Sequence, residues 1–308
     1  MTTDSTKEFT TVAMLGLGEA GTAIATGLAR EWRDADPARR ILAVDIALGD
    51  NIRGPAINDR ARAIGVDIAG TYTPALAAAG FVVSVVTGVE AMNAALAARP
   101  ILRPGTLYLD VNTLTGKQTV EIAAKMEEAG IAYVDVAAMG GFNALGHKAP
   151  LLLAGPAAER AAAWMRPHGF EVRVLSERAG DASAVKIIRS VMMKGIEALS
   201  VECLVTAYRQ GLVAEVLDCF ADVDAMSFRN FVREMAITHP AHARRRMEEV
   251  DKVIENLRET GVEPLMSERT RQSHARTVAA DIAPADGGKP ELEEALALLS
   301  EKVVKGLG

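Results

Sequence analysis

The residues of this chain that could do chemistry begin at Gly16, Gly18 and Gly21, a Gly-x-Gly-x-x-Gly run between the apolar stretch 11–15 and the helical stretch 20–28. In a strand, turn and helix context each glycine has its own task. The first permits the tight turn, the second lets a pyrophosphate approach the backbone, and the third lets helix and strand close on each other. Leu17, Gly18, Glu19 and Ala20 then form a phosphate loop whose unpaired N–H groups lie at the positive end of a helix. Asp45 ends the next strand-like run about 24 residues beyond Gly21, where a carboxylate accepts the ribose hydroxyls of NAD. Arg53 follows and could neutralise a 2′-phosphate, so NADP stays open beside NAD. A plain tight turn and a surface acid are the structural alternatives for the glycines and for Asp45. A methyltransferase is the main rival for such a fold, but its glycine loop is normally spaced differently.

Lys186 is the second candidate. An alcohol that loses hydride must also give up its hydroxyl proton, and a partly desolvated lysine amine can receive it. The alternative is a solvated helix lysine. Its neighbours Val185, Ile187, Ile188, Val191 and Met192 are apolar around most of the helix, which implies an extensively buried segment. Lys186, Ser190 and Lys194 step by four and line one stripe. Lys194 is thus either a second cation for a carboxylate or phosphate, or an ion-paired surface lysine.

These groups need elements to position them. From Thr11 to about Val174, strand-like runs at 11–15, 41–45, 81–86, 106–111, 132–136, 151–154 and 171–174 alternate with helical stretches at 20–32, 59–64, 90–97, 114–129 and 157–165. That alternation predicts a mostly parallel sheet covered on both faces. Thr115 and Gln118 form a capping box for the fourth helix. After Gly180 the strand-like runs stop, and 181–210 holds no Gly or Pro except Gly195, so one long helix is expected there. It would be about 45 Å long, enough to be shared between two domains. Further helices are expected at 213–220, 227–234, 243–260, 267–281 and 291–304, with a loop at 283–290 and a loose tail over residues 1–9.

Composition narrows the classes. A chain of 308 residues is long enough for two domains, and a net charge of −6 gives no general affinity for nucleic acid or anionic lipid. The Arg244–Arg246 run is local. Only Cys203 and Cys219 are present, too few for a disulfide framework, and both read as core thiols of a chain in a reducing cytoplasm. The N-terminus lacks the basic start and apolar stretch of a secretory signal, and the apolar windows fall short of the roughly 20 residues of a membrane span. No metal site is expected.

Three segments give the chemistry its specificity: Asp110-Val-Asn112-Thr113, Asp135-Val-Ala-Ala-Met139-Gly140-Gly141, and Gly180-Asp-Ala-Ser-Ala-Val-Lys186. On these, over nearly its whole length, the chain resembles the β-hydroxyacid dehydrogenase superfamily, which includes 3-hydroxyisobutyrate and 6-phosphogluconate dehydrogenases. The resemblance implies an α/β fold: a doubly wound Rossmann domain at 10–178 that binds NAD or NADP, and an all-helical substrate and dimerisation domain at 179–308, joined by the long helix. It implies that Lys186 is the general acid and base, that Asn112, in place of the usual serine, faces the nicotinamide with Val86 and Thr87, and that Met139, Gly140 and Gly141 form the substrate loop. Met139 also replaces a serine, and with Phe142 it suggests an apolar pocket wall. Ser190 stands where relatives carry a substrate-binding asparagine. Met193 stands where the 6-phosphogluconate enzymes place a glutamate acid, so their decarboxylation does not transfer.

The segment from His239 to Glu249 is similar to the helical domain of a less characterised branch. There His242 or Arg245 could hold a substrate carboxylate, since arginine's planar fork matches one. Alternatively Arg244 and Arg245 pair with Glu248 and Glu249. A homodimer through the helical domain is implied, with 196–205 supplying apolar surface. The expected activity is hydride transfer with a small hydroxy acid. Two other readings stay open: a non-catalytic nicotinamide-binding regulator, suggested by Met139 and Ser190, and an imine or amine reductase, against which the lysine leans.

Overall fold

The computed structural model describes residues 9–32, 39–283 and 288–304. Residues 1–8 of the expected tail and 284–287 of the expected loop lie outside them. Eight strands are present: β1 (Thr11–Leu15), β2 (Arg40–Val44), β3 (Asp67–Gly70), β4 (Phe81–Ser84), β5 (Leu107–Asp110), β6 (Ala132–Ala138), β7 (Leu151–Ala154) and β8 (Val172–Ser176). They form one sheet in the order β3-β2-β1-β4-β5-β6-β7-β8, parallel throughout except where β7 runs against β6. The direction of winding reverses between β1 and β4, which opens a crevice beyond their carboxyl ends.

Alternation along the strands sends side chains to two faces. Val12 and Met14 join a core with α1 (Glu19–Trp32), α2 (Arg53–Ile64) and, further along the chain, α6 (Ala158–Met165). Ala13 and Leu15 join the other core, with α3 (Ala91–Ala98) and α4 (Gly116–Glu127). The expected capping box starts α4, with Thr115 and Gln118 bonded reciprocally. A short turn of helix, α5 (Phe142–Leu145), follows β6. Gly27, in the middle of α1, has a packing reason: a Cβ there would lie 1.8 Å from His147 Nδ1.

α7 runs from Asp181 to Gln210, the bounds the sequence predicts. By internal contacts the chain falls into two compact units, Met1–Val191 and Met192–Gly308, a division inside α7. The second unit continues with α8 (Val213–Asp218), α9 (Ala221–Asp224), α10 (Phe228–Glu259), α11 (Leu265–Ala279) and α12 (Leu292–Leu298).

Three expectations need correction. The break expected between 234 and 243 does not occur: α10 passes through Pro240, with Arg246 donating to Thr238 Oγ1 at 2.9 Å and so bracing both sides of the proline. The two cysteines are exposed, because the second unit's helices leave much side-chain surface uncovered. Val185, Ile188, Val191 and Met192 are likewise exposed, at 37, 70, 76 and 41 %. The burial expected around Lys186 is one-sided, limited to the face that carries Ala182 and Ser183. Among the described residues no helix is long and apolar enough to cross a membrane.

Candidate active site

At the carboxyl end of β1 the chain turns through Gly16, whose φ of +93° suits glycine and whose added Cβ would lie 2.5 Å from the Val85 carbonyl. At Gly21 a Cβ would meet Gly16 O at 2.1 Å, so only glycine lets α1 start this close. At Gly18 a Cβ would meet nothing within 4 Å: the turn is open on the side where a ligand would come.

The turn is rigid. Gly16 N donates to Val44 O at 2.8 Å, Leu17 N to Asp45 Oδ2 at 2.9 Å, and Arg60 Nε to Leu17 O at 3.2 Å. Leu17 puts its side chain in the core. Asp45 also accepts from Ala47 N through Oδ1 at 2.9 Å, so each carboxylate oxygen already serves a backbone amide. Glu19 is exposed and Ala20 half-buried at the start of α1. Beside the turn lies a cavity of about 680 Å³, bordered by Gly18, Asp45, Ile52, Arg53, Tyr72 and Val86 among others. That volume is within the ordinary range of small-molecule sites, about 300–1,000 Å³. The donor-rich helix start, the open glycine and the cavity at the winding reversal together fit a dinucleotide.

Further along the same sheet edge, register places Ser84, Asp110 and Asp135 side by side on β4, β5 and β6. Asp110 is 2 % exposed, and burial pushes its carboxyl up to about 6. Its oxygens accept from Asn112 N at 3.0 Å, Asn112 Nδ2 at 2.7 Å and Tyr133 OH at 2.9 Å. Asn112 also donates to Ser84 Oγ at 3.0 Å and accepts from Val86 N at 2.7 Å. Both amide hydrogens of Asn112 are therefore spent inside the protein, and the residue ties the end of β4 to the end of β5. Thr87, just past Val86, is exposed.

Asp135 accepts from Gly180 N at 2.9 Å, Ser183 N at 3.1 Å and Ser183 Oγ at 2.6 Å, and Thr119 Oγ1 donates to Ser183 Oγ at 3.1 Å. Burial raises the Asp135 carboxyl. These bonds fasten the first turn of α7 to β6 and α4. Lys186 follows Ser183 by three and so shares its face. It is half-buried, and burial lowers the ammonium from its usual value while the charges of Asp135 and Asp110 act the other way.

The remaining expected residues are placed as follows. Met139 packs with Ala137, Leu152, Ala154 and Ala182, filling the joint between sheet and α7; Gly140 is half-buried and Gly141 exposed. Ser190 Oγ donates to Lys186 O at 2.9 Å, back into its own helix. In the second unit, Lys194 pairs with Glu197 at 2.9 Å, Arg245 pairs with Glu249, and His242 is half-buried. The surface pairing offered by the sequence for Lys194 and Arg245 is the one observed. Tyr133, Thr119 and Ser183 were not singled out from the sequence. Only Ser183 had a local signal, its place one helical turn before Lys186. Among the described residues no cluster of three or more His, Cys, Asp or Glu could hold a metal ion.

Residues 207–277 match a domain of unknown function, DUF1932. An uncharacterised 28.5 kDa protein of Methanothermus fervidus is 24% identical over 211 residues, which span 68% of this chain and 81% of that protein. A conserved hypothetical protein of Sinorhizobium meliloti 1021 is 28% identical, with a TM-score of 0.58 over 95% of this chain and 96% of the other. A conserved protein of unknown function, described as structurally similar to 3-hydroxyacid dehydrogenases, is 26% identical, with a TM-score of 0.56 over 94% and 98% of the two chains. A Streptomyces aurantiacus imine reductase shares the fold at a TM-score of 0.74 and 16% identity, over 94% of this chain and 100% of that one. These likenesses bear out the resemblance to the β-hydroxyacid dehydrogenase superfamily.

Proposed function

We propose that this chain is an NAD(P)-dependent oxidoreductase that moves a hydride between the nicotinamide ring and a small hydroxy acid or its carbonyl counterpart, with Lys186 as the proton-transfer group. The observation that carries the reading is one end of the sheet that bears a glycine turn beside an open cavity and, through Asp135, holds the first turn of the helix carrying half-buried Lys186. A bound dinucleotide supplies the hydride chemistry.

The chain's own residues do the rest. The amides at the start of α1 hold the pyrophosphate, and Gly18 leaves it room. Ile46 and Ile52, exposed at 63 and 87 % on the cavity wall, flank the adenosine. Asp45 stiffens the turn and keeps free lone pairs for a ribose hydroxyl, while Arg53 and Arg60 border the same cavity, where a 2′-phosphate would meet them. Both cofactors are therefore within this reading. Burial brings the Lys186 amine closer to neutrality, so it takes the hydroxyl proton in oxidation and returns it in reduction. Asn112 holds Val86 against the end of β5 rather than touching substrate. Met139 closes the apolar side, and Ser190 reaches substrate only by leaving its helix carbonyl. The second unit is the surface on which two copies meet.

The test is Lys186→Ala. Calorimetric affinity for the reduced cofactor should be kept, while turnover across a panel of 2- and 3-hydroxy acids, sugar acids and phosphorylated acids falls about 10²- to 10⁴-fold. Unchanged turnover rules out the lysine. A second reading, imine reduction, is favoured by the two buried acids whose charges act on Lys186, since they would also attract a cationic substrate. Cyclic imines tried beside the hydroxy acids separate the two.

A further inference from the structure

The start of α7 is held by an arrangement that the proton-transfer role does not by itself require. Gly116 and Gly180 bring two backbones together so closely that a Cβ on either would lie 3.2 or 3.0 Å from the other's carbonyl oxygen. Thr119, Ser183 and Asp135 then form an unbroken chain of hydrogen bonds from α4 through α7 to β6. Asp135 is 1 % exposed and gives both oxygens to the first turn of α7, whose N–H groups carry the positive end of the helix. The charges of two carboxylates at the end of the sheet, Asp135 of β6 and Asp110 of β5, act on Lys186 against the effect of burial.

We propose that Asp135 is a positioning residue for Lys186: its hydrogen bonds fix where the lysine stands and its negative charge sets how readily the ammonium gives up its proton. The inference rests on the reading of Lys186 as the proton-transfer group. Asp110 is the weaker of the two influences: its charge acts on the lysine less than that of Asp135, and its oxygens accept from Asn112 and Tyr133 rather than from the first turn of α7. Asp135 and its partners allow charge and geometry to be separated. In Asp135→Asn the amide oxygen can still accept from Gly180 N and Ser183 N, and the amide nitrogen can donate to Ser183 Oγ once that hydroxyl turns its proton to Thr119. Shape and bonding survive, and the charge is gone.

The experiment titrates Lys186 in the cofactor-free protein after reductive ¹³C-methylation of its lysines, with the Lys186 resonance assigned by its absence in Lys186→Arg. Asp135→Asn should lower the Lys186 midpoint by about one pH unit, and the acid limb of kcat/KM should move with it while the cofactor Kd stays put. Ser183→Ala, which keeps the charge, should leave the midpoint where it was. A midpoint unmoved in Asp135→Asn, with turnover reduced equally at every pH, would overturn the proposal. Should that variant not fold, Asp135→Glu keeps the charge and displaces the turn: an unmoved midpoint with a lower kcat supports the proposal, and a lowered midpoint with kcat unchanged defeats it. If the midpoint moves as expected yet Lys186→Ala turns over normally, the proton-transfer role falls and the influence of Asp135 on the lysine stands.

Discussion

The two units solve the problem of burying apolar surface in different ways. The first holds every extended cluster of buried apolar side chains found among the described residues, layered on both faces of its sheet. Among the described residues of the second, 7 apolar residues are buried, three of them alanines, while 16 large apolar side chains are exposed, including Val201 at 60 %, Tyr208 at 78 % and Phe228 at 51 %. Such a unit has less buried apolar surface to set against its conformational entropy than the first unit has. The lesson is that the first unit buries its apolar side chains within its own layers, whereas the second leaves most of its large ones on the surface.

A charge placed on each surface breaks or sharpens that contrast most strongly. On the proposed pairing of two copies through the second unit, Val201→Glu should shift sedimentation equilibrium to the monomer and cost about 3–5 kcal/mol by burying an unpaired charge. Val89→Glu in the first unit, at a residue 85 % exposed, should change stability by no more than about 0.5 kcal/mol. Equal effects would show that the second unit's apolar surface faces only water.

A pH scan of thermal melting should then separate the units by sign. Burial raises Asp110 from 3.8 to about 6 in the folded first unit, so its protonated form is favoured there. The cost of ionising it, about 3 kcal/mol, is absent below pH 4, grows between pH 4 and 6, and is complete above that. Asp135 shifts in the same direction, and the surface carboxylates Asp50 and Asp181, held low by their hydrogen bonds, oppose it weakly. In the second unit, His239 stacks on His274 with ring centres 5.0 Å apart, and burial with neighbouring positive charge lowers His239 from 6.5 to about 4. His274 is lowered too. The contribution of His239 is complete above pH 6.5 and lost as pH falls towards 4, and His274 acts in the same direction. Acidifying from pH 7 to 5 should thus lower the second unit's transition while the first unit's holds or rises. His239→Gln should flatten the first trend and Asp110→Asn the second. Two transitions that fall together would dissolve the contrast.

Much of the first unit was legible because its rules are local. β1 and β7 have the predicted bounds, and the glycine turn does what its spacing implies. α7 was readable because nothing between Asp181 and Gln210 interrupts a helix. β3 was not: it is a four-residue strand at the sheet edge, with Asp67 and Gly70 at its ends and no buried face to impose alternation. The continuity of α10 through Pro240 depends on Arg246, eight residues from Thr238 and invisible to a local rule about proline. At the site, Lys186 and the two aspartates could be picked out from their segments, but their wiring could not. Asp135 to Ser183 spans 48 positions and Thr119 to Ser183 spans 64, and only the fold brings them together. Asn112 shows the converse: a residue of the right type at the right place, whose donors turn out to be committed inward.

The smallest expected effect concerns the cations that the sequence offered to the substrate. Lys194 is 78 % exposed in its pair with Glu197, and Arg245 is 62 % exposed in its pair with Glu249. Exposed pairs of this spacing contribute little, because water already solvates both charges and two long side chains must be held still. Arg245→Ala and Lys194→Ala should therefore shift the urea midpoint barely at all and leave KM for a hydroxy acid within about twofold, close to what a surface substitution in the first unit does. The argument turns on competition. To hold a substrate carboxylate, Arg245 must release Glu249 and gain more than that exposed pair contributes, which takes a water-poor site. A rise in KM of tenfold or more in Arg245→Ala, with kcat unchanged, would show that the second unit does supply such a site, and its uncovered surface would then serve substrate as well as a second copy.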